Sequence, residues 1–458
     1  MSNGKSAIFD IGPPLEHGAW SAYQKFVLVL VASAVVLDGF DNQVLGFAIP
    51  ALIKEWGVTR AAFAPVFAFG FFGMAVGTAF GGWLGDRIGR RPALILSVAL
   101  FGVATGLTAI ADSVAHLGVC RVLAGFGLGG AMPCATTILS EFSPLKRRSL
   151  AVTMGIVCIP LGGVIGGLIA ARVLPQIGWR ALFAIAGVLP VVVAGLLAAF
   201  LPESPRYLVR HPKRWGQLAA TLRRLGHTVS PNATFVDSYE QEKAARVSAT
   251  ELFKPRFLRD TVGLWTAFFF CLLATYVVFS WAPTLLVESG FDLAMSSTAL
   301  AIFNIGGVLG ALAGAVAIGR LGSRTAMLAM AAGAVVGAVS LSSLSIGTAD
   351  RGHVLIALFI EGAFINALQT TLYVLAAHVY PVQTRASGVG GAAGFGRLGA
   401  IASSFIGVAV LSGGGKTYFA AIAASMVMAL VGLLIVRRHS SPTKAAANVE
   451  AITPAEAK

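Results

Sequence analysis

Asp38 and Asp41 stand inside "VLVLVASAVVLDGFDNQVLGFAIPAL" (residues 27–52), a run otherwise almost entirely apolar and small. Three residues apart, they share one face of a helix, and Gly39 between them lets a neighbouring helix approach closely. A charged side chain at the centre of a bilayer costs about 2.5–3.5 kcal/mol on insertion scales, so the pair costs roughly 5–7 kcal/mol unless something offsets it. Two carboxylates in a partly dry site repel one another and lose hydration, conditions in which a proton binds readily. This makes them candidates for proton binding and release in a working cycle. The structural alternative is that both pair with Arg121 or another donor and fix helix packing. Further ionisable candidates in the apolar runs are Arg121, Glu141 near a helix end, Glu361, His378 near a helix end, and Arg397. Arg121 stays charged and offers a planar fork suited to a carboxylate. It either binds a ligand carboxylate directly or serves as counter-ion to Asp38 or Glu141, and Arg397 is the corresponding candidate in the second half. Glu361, His378 and Glu141 join the proton-path candidates, since histidine switches near neutral pH, although a helix-end histidine also serves as an ordinary interfacial residue.

Membrane helices must position these groups. Of 458 residues, 56% are hydrophobic and 12% charged, with a mean hydropathy of +0.80; soluble domains carry about 25% charged residues. Apolar runs of roughly 20 residues, long enough to cross a bilayer as helix, recur about twelve times. They lie near 25–50, 61–84, 92–112, 116–141, 150–171, 180–201, 257–286, 294–318, 325–346, 353–379, 387–411 and 417–436. Polar and acidic residues precede the first run without a basic n-region or cleavage site, so a signal peptide is not expected. The four cysteines fall inside apolar runs without CxxC pairing and read as buried free thiols.

A net charge of +14 would suggest nucleic acid in a soluble protein, but its placement says otherwise. Arg87, Arg90, Arg91, Lys146, Arg147, Arg148, Arg320, Arg324 and Arg385 crowd four short loops of one side, whereas the opposite loops hold Lys54, Arg60, Arg172, Arg180, Arg351 and Lys416. Apart from Arg121 and Arg397 inside the apolar runs, the long central segment and both tails, with the helix ends beside them on the first side, carry the rest. The positive-inside rule then puts both termini and the central segment in the cytoplasm, and nucleic acid is not an expected partner.

The polar stretch after Pro202 divides the chain into a first bundle with a short tail (1–202), a central loop (203–256), a second bundle (257–436) and a tail (437–458). The halves repeat: residues 70–94 overlay 303–327 at an offset of 233, pairing Gly73 with Gly306, Gly77 with Gly310, Arg87 with Arg320, Gly89 with Gly322 and Arg91 with Arg324. A second stretch repeats at an offset of 237, pairing Gly125 with Gly362, Pro144 with Pro381 and Arg148 with Arg385. Parallel repeats of six helices are the architecture of transporters that rock around a midplane site. Glycines at four-residue spacing indicate close helix contact in lipid.

"GGWLGDRIGRRPAL" (81–94) resembles the cytoplasmic motif between the second and third helices of the major facilitator superfamily, "RVLAGFGLGGAMP" (121–133) its fourth-helix motif, and "PESPRYL" (202–208) the motif after its sixth helix. "LDGFDNQ" (37–43), "HVYPVQTRASGVG" (378–390) and "GFGRLGAI" (394–401) resemble the aromatic-acid/proton symporter family within it. The chain departs from that pattern at Glu361, and the second-copy loop has Gly319 where the first has Asp86. The resemblance implies an all-α integral membrane protein of two six-helix bundles related by pseudo-two-fold symmetry, the major facilitator fold. It implies import of an aromatic carboxylic acid such as benzoate or a hydroxybenzoate together with protons, by a monomer in the bacterial inner membrane. No cofactor, metal or enzymatic activity is implied. It further implies that Gly85, Asp86, Arg87, Gly89, Arg90 and Arg91, with Glu203 and Arg206, form a cytoplasmic latch. An aromatic substrate needs apolar, π-faced walls, for which Tyr276, Phe279, Trp281, Tyr373 and Phe395 are the candidates; each of these rings would otherwise face lipid. The same fold carrying another organic anion or a sugar, a drug/proton exporter, and a membrane sensor are the competing classes. "GFGLGG" (125–130) and "GGGKT" (413–417) lack the strand or glycine that a nucleotide loop needs.

Overall fold

An apolar segment in lipid has no water to bond its peptide groups, and a helix satisfies them internally. The computed structural model describes residues 8–230, 233–241, 252–344, 346–381 and 384–442. Strand β1 (Ile8–Asp10) and helix α1 (Gly12–His17) precede six long helices: α2 (Ala22–Trp56), α3 (Ala64–Ile88), α4 (Arg90–Thr108), α5 (Val114–Glu141), α6 (Leu145–Gln176) and α7 (Trp179–Phe200). The central segment holds α8 (Pro205–Val209), α9 (Trp215–Arg224), β2 (Thr234–Val236) and α10 (Ser238–Gln241). Six further long helices follow: α11 (Pro255–Glu288), α12 (Leu293–Leu321), α13 (Ser323–Ser343), α14 (Arg351–Val379), α15 (Arg385–Leu411) and α16 (Gly414–Ile435).

Twelve helices among the described residues are long and apolar enough to cross a membrane, the number read from hydropathy. The chain is a multi-pass membrane protein. Several helices outrun their apolar runs, α2 continuing to Trp56 and α6 spanning Leu145–Gln176. Hydropathy marks the lipid-crossing part, whereas backbone hydrogen bonding carries the helix on into the polar interface.

Two compact units emerge from the contacts: Met1–Asp41 with Phe72–Gly162 and Phe183–Arg246, and Asn42–Phe71 with Gly163–Leu182 and Val247–Lys458. In the first, α4 packs on α5, and the glycine stripe of α3 sits on α5. A Cβ on Gly73, Gly77 or Gly81 would strike the backbone of Val122, Phe126 or Gly130. In the second, α12 packs on α14 and α11 on α15 and α16; Gly306 and Gly310 meet the backbone of Phe359 and Ala363 in the same way. The repeated sequence stripe is therefore a repeated helix contact, made where van der Waals packing has to replace the hydrophobic effect.

The first unit also contains a small module that hydropathy does not reveal. β1 pairs in parallel with β2, Phe9 opposite Phe235. Ile11 and Leu15 join Leu208, Leu218, Leu222 and Phe235 in a buried apolar cluster. Glu16 of α1, 5% exposed, accepts hydrogen bonds from Arg206 (2.6 Å) and Arg148 (3.1 Å). Burial works against its charge, yet the two arginines hold the Glu16 carboxyl below its ordinary range. All four cysteines are free thiols, Cys158 half-buried and the others buried.

Candidate functional site

Helix α2 carries Asp38 and Asp41 through the first unit, and glycine determines how they are seated. Gly39 lies against the carbonyl of Ile159 on α6, while Gly162 of α6 lies against the carbonyl of Val36, so the two backbones touch where the aspartates project. Asp38 is 4% exposed and Asp41 2%. Arg121 of α5, itself buried, brings Nη1 to 3.5 Å from Asp41 Oδ2. Its Nη2 donates to Thr105 Oγ1 at 2.9 Å and Thr108 Oγ1 at 3.4 Å, both on α4. The Thr105 hydroxyl in turn donates to Asp41 Oδ1, and the guanidinium lies 5.4 Å from the centre of the Phe183 ring.

The counter-ion of Arg121 is thus Asp41, one of the partners the sequence allowed. Glu141 is engaged elsewhere, accepting from the Ser204 hydroxyl. Thr105 and Thr108 were missed; their spacing of three puts both hydroxyls on one face of α4, a pattern that also suits a helix merely bonding its own carbonyls. Two buried valences stay open among the described residues: Asp41 Oδ2 and Arg121 Nε have no hydrogen-bond partner. The cluster pairs its charges and retains capacity for one more acceptor or proton.

In the second unit, Arg397 Nη1 donates to the Tyr276 hydroxyl at 2.7 Å. Tyr276 meets Phe71 edge-on at 4.6 Å and Phe279 at 5.8 Å. Trp281, fully buried, packs against Phe67 and over Gly407, and its Nε1 lacks a hydrogen-bond partner among the described residues. Tyr373 packs on Phe268 and Phe395 stacks on Trp265. Tyr276, Phe279 and Trp281 therefore do not face lipid, because α11 is enclosed by α12, α15 and α16. Gln43 and Asn304 exchange amide hydrogen bonds of 3.2 and 2.8 Å at zero exposure. That pair was also missed, although Gln43 closes the first-helix motif. Glu361 on α14 is fully buried against Gly337 of α13, with both carboxyl oxygens unbonded among the described residues. His378 lies exposed at the end of α14.

The loop joining α3 and α4 turns on Gly89, whose φ of +110° disfavours any side chain and whose Cα faces the Glu203 carboxylate. Glu203 accepts from the Arg91 amide at 3.1 Å, capping α4 at its positive end. Asp86 pairs with Arg90 at 2.7 Å, Arg87 covers the Trp83 ring at 5.0 Å, and Gly85 sits against Cys134 Sγ. Arg206 is held by Glu16 and, at 3.6 Å, by Asp237.

The family model for the Major Facilitator Superfamily matches residues 31–350. The gallate transporter of Pseudomonas putida is 36% identical over 407 residues, covering 89% of this chain and 90% of that protein. The 4-hydroxybenzoate transporter PcaK of the same organism is 36% identical over 440 residues, covering 95% and 96%. The inward open xylose transporter XylE from E. coli superposes with a TM-score of 0.71 at 18% identity, over 92% of this chain and 99% of that one, a likeness of fold.

Proposed function

The chain belongs to the Major Facilitator Superfamily, and from that premise we propose that it is a proton-coupled symporter importing an aromatic carboxylic acid such as benzoate or a hydroxybenzoate. Relatives named for gallate and 4-hydroxybenzoate transport support the substrate class. The observation that carries the coupling is the buried Asp41–Arg121 pair with its two open valences. A substrate carboxylate arriving at Arg121 competes with Asp41 for the guanidinium. Once released, Asp41 would be an unpaired charge in an apolar site, a condition that a proton removes. Asp38, one turn away, is the second carboxylate across which that proton is shared.

In the second unit, Arg397 with the Tyr276 hydroxyl offers the other guanidinium for a carboxylate. Phe279, Trp281, Tyr373 and Phe395 supply ring faces for an aromatic substrate. Gly85 to Arg91, clamped to Glu203, act as a latch on the cytoplasmic side, where the positive-inside rule also puts both termini. The membrane is the bacterial inner membrane and the working unit a monomer. Energetics favour coupling: bringing a monoanion into a cell that is negative inside costs about 2.3 kcal/mol per 100 mV, and one co-transported proton cancels that term.

The test is uptake of labelled 4-hydroxybenzoate into proteoliposomes under an imposed inward proton gradient, with benzoate, protocatechuate, gentisate and glucose as competitors. Gradient-dependent uptake blocked by the acids and not by glucose is expected. Competition by glucose would favour the sugar reading, and no uptake by folded protein would remove the aromatic acids.

A further inference from the structure

The two halves share a frame of arginines but not of carboxylates. In the first half, Glu203 caps α4 at the turn of Gly89, Glu141 holds Ser204, and Asp86 pairs with Arg90. The repeat offset of 237 pairs Arg148 with Arg385, and carried on it pairs Glu141 with His378 and "ESP" (203–205) with "SSP" (440–442). The structure repeats the contact as well: Ser440 meets the second-half turn at Gly322, its carbonyl accepting from the Ser323 amide at 3.0 Å. At three positions where the first half has an acid, the second has Gly319, His378 and Ser440.

The consequence is a basic cavity at one end of the second bundle. It has a volume of about 750 Å³ and is lined by Arg385, Arg437, Arg438, His378, His439 and Tyr380, among others. Asp260 is the one carboxylate bound here among the described residues. It accepts from the Arg437 and Arg438 amides and lies 3.5 Å from Arg438 Nε. Burial holds the His439 imidazole below its ordinary value, so arginine supplies the fixed charge. The Arg385 and Arg437 guanidinium groups have no hydrogen bond or ion pair among the described residues. In the first half, by contrast, Arg148 is bonded to Glu16.

We propose that this cavity binds a phosphate-bearing anion, the headgroup of an anionic phospholipid, whose charge replaces the carboxylates that the second half lacks. Two free guanidinium groups suit the planar, bidentate recognition of phosphate. The surroundings suit a lipid rather than a soluble anion. Val431 and Leu434 on the last turns of α16, and Val374 one turn before His378 on α14, are 40–49% exposed and offer an apolar wall for acyl chains below the headgroup.

The test is native mass spectrometry and thermal unfolding of the full-length protein purified in a neutral detergent. Phosphatidylglycerol, phosphatidylcholine and inorganic phosphate are titrated in separate arms. Phosphatidylglycerol should be retained as an adduct and raise the Tm, and phosphatidylcholine should not. Arg385→Gln combined with Arg437→Gln should weaken that binding about thirty-fold, since each arginine near an anionic surface contributes on the order of 1 kcal/mol. Arg437→Gln leaves the backbone amide that Asp260 holds. Ser440→Glu restores the acid of the first half and should lose the dependence on phosphatidylglycerol while remaining folded. Inorganic phosphate matching phosphatidylglycerol in an arginine-dependent way would uphold the phosphate site with a soluble occupant. Equal effects of the two lipids, or undiminished binding in the double variant, would overturn the proposal.

Discussion

Asp41→Asn, Arg121→Gln and their combination form a thermodynamic cycle whose outcome the geometry sets. Asp41→Asn leaves Arg121 bonded to Thr105 and Thr108 but uncompensated at 5% exposure. Arg121→Gln leaves a carboxylate at 2% exposure with one hydroxyl donor, Thr105. Removing one partner of a buried pair costs about 3–5 kcal/mol, whereas replacing both by neutral groups of similar volume costs little. The double variant should therefore be no less stable than either single one, giving a coupling energy of at least about 3–5 kcal/mol. Arg60 and Glu288 supply the control. Their contact is shorter, 2.6 Å, but the side chains are 27% and 43% exposed, so the same cycle there should give less than about 1 kcal/mol. Unfolding of purified protein in detergent, followed by denaturant titration, measures the parent, the four single variants and the two double variants. Additive effects at Asp41 and Arg121, or a coupling no larger than that of Arg60 and Glu288, would refute the pairing as the element that neutralises these charges.

Gly162→Ala should destabilise by about 1–3 kcal/mol, because its Cβ would enter the Val36 carbonyl; Gly195→Ala, with open space around it, should stabilise by up to about 1 kcal/mol in the same assay. Glu16 is held below its unfolded value of about 4.3, so its contribution is complete above that pH and is lost as pH falls through the lower folded value. Hydrogen exchange of residues 8–17 should accelerate on acidification, and Glu16→Gln should reproduce that loss at pH 7; unchanged protection in the variant would contradict the clamp. Glu361→Gln keeps shape and breaks no hydrogen bond among the described residues. Its Tm should stay near that of the parent while gradient-driven uptake falls, and full uptake would remove Glu361 from the proton path.

The twelve spans were legible because lipid imposes one backbone solution on any long apolar run. The repeat was legible because glycines at a helix contact and arginines at a loop each answer a strict requirement. Asp38, Asp41 and Arg121 stood out by cost alone, yet which acid meets Arg121 depends on how α2 and α5 pack, and that is absent from any local pattern. Thr105 and Thr108 were hidden because a threonine in a membrane helix commonly bonds its own backbone, as Thr108 also does to Ala104. The module around Glu16 was hidden for a different reason: it joins residues 8–10 to 234–236, and short elements paired across such separation leave no periodicity.

The most direct test of the account is substrate-driven proton movement. Proteoliposomes holding a pH-sensitive dye, with the membrane potential clamped by potassium and valinomycin, receive 4-hydroxybenzoate from outside without an imposed proton gradient. The interior should acidify in step with substrate entry, and that acidification should be lost in Asp41→Asn protein that is folded and still exchanges substrate. Substrate entry without proton movement, or undiminished coupling in Asp41→Asn, would contradict it.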